Sequence, residues 1–150
     1  MATMQTIEPI KVSVRVPLKP DAAFDLFTSK IATWWPVDQY SVGQEKVTDV
    51  AFEAREGGEV YEICDDGTRA HWADVLAFEA PKRILLAWKP NPEQPVPTEV
   101  EVSFHADGDG TRVALEHRAW ERLAERAADA RAGYAGGWVT VLGRFEQAAS

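Results

Sequence analysis

The chain has 150 residues, 45% apolar and 27% charged, which is the range of a single domain with one hydrophobic core. Its 16 Lys and Arg against 24 Asp and Glu leave a net charge of −8, and the basic residues are scattered rather than striped, which argues against nucleic acid as a partner. No apolar run is long enough to span a bilayer, the first nine residues lack the pattern of a secretion signal, and the lone Cys64 can form no internal disulfide, so a cytoplasmic domain is expected over 1–150, with 1–8 as an N-terminal extension.

Ile10, Val12, Val14 and Val16 alternate with Lys11, Ser13 and Arg15, the two-residue period of a strand with one buried face. Pro20 then suits a first helical turn, and Phe24, Phe27 and Ile31 recur at three- and four-residue spacing until Trp34-Trp35-Pro36 ends the run. Two short helices or one bent helix are predicted there. From Lys46 onward, extended runs are separated by turn signals at Gly57-Gly58, Asp66-Gly67, Ala80-Pro81 and Asp107-Gly108-Asp109-Gly110. These runs predict six antiparallel strands near 47–53, 59–64, 69–78, 83–89, 98–105 and 111–117, with the proline-rich stretch 90–97 as a loop between the fourth and fifth. Trp120, Leu123, Ala127, Ala130, Tyr134, Trp138, Val141, Leu142 and Phe145 fall on one stripe and predict a C-terminal helix of about 40 Å. Gly133, Gly136 and Gly137 each cost such a helix about 1 kcal/mol against Ala, so an irregularity is expected between 128 and 137 unless packing or function requires them.

Together these elements predict an α+β fold in which a curved seven-stranded antiparallel sheet grips a long C-terminal helix, with two short helices after the first strand. A sheet curved around one helix tends to leave an interior wedge, and hence a pocket. The element order and several strings resemble the START-like or SRPBCC superfamily, the helix-grip fold. The strings are Val16-Pro17 with Ala23-Phe24, Trp34-Trp35-Pro36, Tyr40-Ser41-Val42-Gly43, Phe52-Glu53 with Gly57-Gly58 and Tyr61-Glu62, Pro81 with Trp88, Gly110-Thr111-Arg112-Val113, Leu115-Glu116-His117 and Gly137-Trp138. Within the superfamily they look like the branch named for activators of the ninety-kilodalton heat-shock chaperone's ATPase. The resemblance implies a fold more than an activity, because that fold hosts lipid carriers, hormone receptors, polyketide cyclases, allergens and chaperone regulators.

Six Trp residues stand out: Trp34, Trp35, Trp72, Trp88, Trp120 and Trp138. Strand parity puts Ile84, Leu86 and Trp88 on one face, as it does Val100, Val102 and Phe104, and Val113, Leu115 and His117. If those faces look inward, opposed by Tyr134 and Trp138 of the helix, the rings either line a cavity for a flat or greasy molecule or fill the core. His117 either orients a ligand, acts as acid or base, or is satisfied by the backbone near the end of its strand. Glu62 shares a face with Val60 and Cys64; turned inward it is a candidate for proton transfer, and one residue of slip would present Tyr61 instead.

The Asp107–Gly110 segment resembles the start of a calcium loop but lacks the glutamate at the twelfth position, and His71, His105 and His117 do not have the spacing of a zinc hydrolase. No metal, nucleotide or other cofactor is predicted. The candidate ligand-binding residues are Trp35, Tyr40, Glu62, Trp72, Trp88, His117, Tyr134 and Trp138. Three functions fit them: a cavity binding an apolar or aromatic small molecule, a cyclase- or hydrolase-like enzyme using that cavity, and a chaperone-regulating interaction module. Whether a reaction occurs is left open, and a monomer or a homodimer is compatible with each.

Overall fold

The computed structural model describes residues 7–90 and 94–150. The N-terminal residues 1–6, most of the expected extension, therefore lie outside the description, as does part of the proline-rich loop. Strand β1 (Ile10–Val16) leads into helix α1 (Pro20–Phe27) and a short 3-10 turn, Ile31–Thr33. A second 3-10 turn, Gln44–Lys46, precedes β2 (Val47–Phe52), β3 (Glu59–Cys64), β4 (Arg69–Glu79), β5 (Arg83–Trp88), β6 (Thr98–Asp107) and β7 (Gly110–Arg118). The chain ends in helix α2 (Ala127–Ala149).

The seven strands form one curled antiparallel sheet in the order β1-β7-β6-β5-β4-β3-β2, so the first strand closes beside the last. Alternation governs which side is buried: Ile84, Leu86 and Trp88 of β5 face inward, as do Val100, Val102 and Phe104 of β6 and Val113, Leu115 and His117 of β7. On the outer side, Arg118 pairs with Glu99, Glu101 and Glu116, and Arg83 pairs with Glu79 and Glu101.

The alternation breaks twice in β4, at Leu76 against β5 and at Trp72 against β3. Val60 pairs with Ala73 while Tyr61 pairs with His71, leaving Trp72 as an extra residue opposite β3. This bulge buries Trp72 and Ala73, adjacent in sequence, on the same side of the sheet.

The C-terminal segment differs from the predicted stripe. Residues Trp120–Arg126 form two short 3-10 pieces joined by a kink at Ala124 (φ 52°, ψ −121°) instead of continuous helix, preceded by Ala119 in a left-handed conformation (φ 70°). Trp120 explains the turn: its ring lies 4.1 Å from that of His117 and its Nε1 donates to the His117 carbonyl at 2.9 Å, folding the chain back on the end of β7. From Ala127 the helix runs unbroken through Gly133, Gly136 and Gly137, so the irregularity falls ahead of the expected interval. Arg131 of α2 donates to the carbonyls of Glu8 and Pro9 and ties the segment before β1 to the helix.

Candidate functional site

A cavity of about 450 Å³ lies between the sheet and the first half of α2. Its sheet wall is Trp72 from the β4 bulge and Trp88 from the end of β5; its helix wall is Ala130, Gly133, Tyr134, Gly137, Trp138 and Val141. The segment after the first 3-10 turn supplies Trp35, Gln39, Tyr40, Ser41 and Val42, and Pro90 and Asp129 complete the lining. Trp35, Trp72, Trp88 and Trp138 are buried, whereas Gln39, Tyr40, Val42, Asp129 and Gly133 are exposed. The cavity thus runs from a solvent-facing rim to an indole floor. Trp35 packs 5.0 Å from Trp72, 6.1 Å from Trp88 and 6.0 Å from Trp138, centroid to centroid.

The loop at the rim is held from behind. Glu62, fully buried on β3, accepts the Val42 N–H at Oε1 and the Gly43 N–H at Oε2, each at 2.7 Å, and the Trp72 indole N–H at Oε1, also at 2.7 Å. A carboxylate with three N–H donors on its two oxygens, and the Cys64 thiol 3.8 Å from Oε2 as a fourth donor, is a strong tie. Gly43 makes the approach possible, since a Cβ there would stand 2.5 Å from Cys64 Sγ and 3.1 Å from Glu62 Oε2. Burial, and then the neighbouring Glu62, push the Cys64 thiol above its ordinary range, which keeps it a poor nucleophile. Further along the loop, Trp35 Nε1 donates to the Tyr40 carbonyl at 2.7 Å. A Cβ on Gly137 would lie 3.3 Å from the Tyr40 ring, so that glycine lets the loop rest against α2.

His117 lies behind the helix wall. The Trp138 indole, which can only donate, gives its N–H to His117 Nδ1 at 2.9 Å, so the ring proton sits on Nε2 and points to Thr98 Oγ1 at 2.7 Å. The Thr98 hydroxyl in turn donates to the Trp88 carbonyl at 3.3 Å. Burial pushes the imidazole down to about 3, so it is neutral near pH 7. With both nitrogens committed, the ring joins α2 to β5, β6 and β7 and fixes the plane of Trp138.

Of the eight candidate residues, the structure brings Trp35, Tyr40, Trp72, Trp88, Tyr134 and Trp138 together around the cavity, and places Glu62 and His117 directly behind it. Gln39 and Asp129 at the rim carried no signal in the sequence pattern, and Ser41 and Val42 appeared there only within the family-like string Tyr40–Gly43. Gly133 and Gly137 carried one, as helix glycines needing a reason, and both prove to line the cavity.

A curled antiparallel sheet gripping one long helix defines the helix-grip class, the START-like or SRPBCC superfamily. The chain belongs to the activator of Hsp90 ATPase homolog 1-like protein family, whose sequence profile matches residues 17–150. It is similar to the anthrahydroquino-γ-pyrone synthase Txn09, complexed with SUM, at 32% identity over 83% of this chain and 84% of that one, with a TM-score of 0.57. A crystal structure of a Mesorhizobium loti protein shares the fold at 18% identity, covering 93% of this chain and 95% of the other, with a TM-score of 0.68. The solution structure of the Aha1 dimer from Colwellia psychrerythraea does so at 16% identity, covering 95% and 96%, with a TM-score of 0.67. Comparison with curated proteins gave no match.

Proposed function

We propose that this protein binds an apolar or aromatic small molecule in the cavity between the sheet and α2. The observation that carries the reading is the cavity itself: about 450 Å³, within the usual span of small-molecule sites, and walled by four indoles. Trp35, Tyr40, Trp72, Trp88, Tyr134 and Trp138 would touch the ligand, while Glu62 holds the rim loop and His117 holds Trp138. The likeness to Txn09, named as the synthase of an aromatic product, supports a ligand of that kind.

An enzymatic version would use the same space, but neither residue first considered for proton transfer lines it. His117 has no free nitrogen, and Glu62 is occupied by three N–H donors. An interaction module would need an exposed acidic or apolar surface. The outer-sheet acids Glu79, Glu99, Glu101 and Glu116 are instead matched by Arg83, Arg118 and Arg122. The same reading places the protein in the cytoplasm, on the strength of its unpaired Cys64, and has it act as a monomer or homodimer.

The test is native mass spectrometry of protein purified from its own host, with release and identification of anything retained. A bound small molecule is the expected result. Protein that emerges empty, with Trp emission unmoved by a panel of apolar aromatics, would contradict the reading.

A further inference from the structure

Five of the six indoles have their N–H satisfied within the protein. Trp34 donates to the Leu26 carbonyl, Trp35 to the Tyr40 carbonyl, Trp72 to Glu62, Trp120 to the His117 carbonyl and Trp138 to His117 Nδ1. Trp88 alone does not. Its Nε1 is the one buried side-chain nitrogen or oxygen among the described residues with no hydrogen-bond partner, on a residue only 5% exposed. A buried donor without an acceptor is costly and calls for an explanation.

Trp88 lies on the cavity wall, and so does Tyr134. Burial pushes the Tyr134 phenol up, and Trp88 is close enough to oppose part of that shift, yet the pair falls short of hydrogen-bond geometry. The phenol therefore keeps its proton near neutral pH and is a second donor next to the first. Two donors on neighbouring residues of a largely apolar cavity wall suit an oxygen acceptor brought by the ligand. The overall charge points the same way about that ligand: among the described residues the lining holds no Lys, Arg or His and one charged side chain, Asp129, and the chain carries −8, so a carboxylate or phosphate would find no counter-charge among them.

We propose that the Trp88 indole N–H and the Tyr134 hydroxyl form a two-donor anchor for the carbonyl oxygen of a neutral, planar aromatic ketone. The inference rests on the binding reading above and narrows it from apolar molecules in general to aromatic ketones. The ring system lies among the Trp35, Trp72 and Trp138 faces, and the ketone oxygen accepts from the Trp88 N–H, which has no hydrogen-bond partner in the protein, and from the Tyr134 hydroxyl beside it.

Fluorene and fluorenone have nearly the same shape and differ at the carbonyl, which makes them a matched pair of probes; a fluorenone carboxylate adds the charge. Titrations of the whole chain should give about tenfold tighter binding of fluorenone than of fluorene, the worth of one or two good hydrogen bonds. The carboxylate should bind more weakly than fluorenone. In Tyr134→Phe the ratio between the two neutral probes should narrow by about threefold. The Trp88 indole proton should move downfield with fluorenone and not with fluorene, a readout that needs no variant to fold. If the two neutral probes bind equally, or if fluorenone binds tighter with the Trp88 signal unmoved, the anchor is wrong while the binding reading survives. If neither probe binds, the binding reading falls and takes the anchor with it.

Discussion

The two ends of the space between sheet and helix contrast sharply. At the α1 end, rings pack edge to face and fill the interior: Phe24 lies 5.1 Å from Phe78 and 5.0 Å from Phe104, and Phe27 lies 5.3 Å from Phe145, which is 5.2 Å from Trp34, while a separate cleft of about 350 Å³ beside Phe24 and Phe78 lies among the exposed Asp21, Asp25 and Ser29. At the other end, Trp35, Trp72, Trp88 and Trp138 stand around a cavity of about 450 Å³. The difference comes from what enters the wedge. Helix α1 drives Phe24 and Phe27 into one end, while the loop after Trp35 covers the other, tied to the buried Glu62 and resting against α2. Aromatic residues fill the fold where a helix supplies them from a third side and line it where only a loop does.

The contrast can be broken most severely at the filled end. Phe145→Ala should cost about 3–5 kcal/mol in urea denaturation, the range for truncating a buried aromatic, while leaving the affinity of any cavity ligand nearly unchanged. Glu62→Gln acts at the open end. It replaces one carboxylate oxygen with an amide that cannot accept, leaving a rim N–H or the Trp72 indole unpaired, and should cost about 1.5–3 kcal/mol. Faster amide exchange at Val42 and Gly43, with β6 and β7 unchanged, would place that loss in the loop.

His117 sharpens the comparison through pH. Its folded value of about 3 lies below the ordinary 6.5, so beneath about pH 6.5 the unfolded chain takes up a proton that the folded chain refuses. The residue therefore adds no pH dependence above that point and destabilises the fold increasingly as pH falls toward 3, by at most about 1.4 kcal/mol per pH unit. His117→Gln should flatten the fall in stability between about pH 6 and pH 4, measured against the original chain under the same conditions. The smallest effect is at the helix glycines. A Cβ on Gly133 or Gly136 meets nothing within 4 Å, so Ala at either should stabilise α2 by up to about 1 kcal/mol. Only Gly133 lines the cavity, so Gly133→Ala alone should also alter ligand affinity.

How much of this could be read in advance follows the same division. Periods of two made the inward faces of β1, β5, β6 and β7 legible, and His117 with them, but left open whether Glu62 or Tyr61 turned inward from β3, where the structure buries Glu62. Trp72 was legible as an anomaly but not by parity: with Ala73 and Val75 inward, alternation sends it outward, and only the bulge against β3 reverses that. The turn at 120–126 was hidden because Trp120 and Leu123 continue the helical spacing while packing for a different reason. Least visible were the partners of the buried polar groups. The backbone donors to Glu62 come from a loop with no periodicity about twenty residues upstream, and Trp138 meets His117 only once α2 crosses the sheet. Nothing in the sequence told the rings that fill from the rings that line, because both are aromatic residues on inward faces.

The most direct test of that distinction is to follow the six indole N–H signals by nuclear magnetic resonance during titration with fluorenone. The account predicts that Trp35, Trp72, Trp88 and Trp138 respond, while Trp34 and Trp120, packed against Phe145 and His117, stay in place. Equal movement of all six, or movement confined to Trp34 and Trp120, would contradict it.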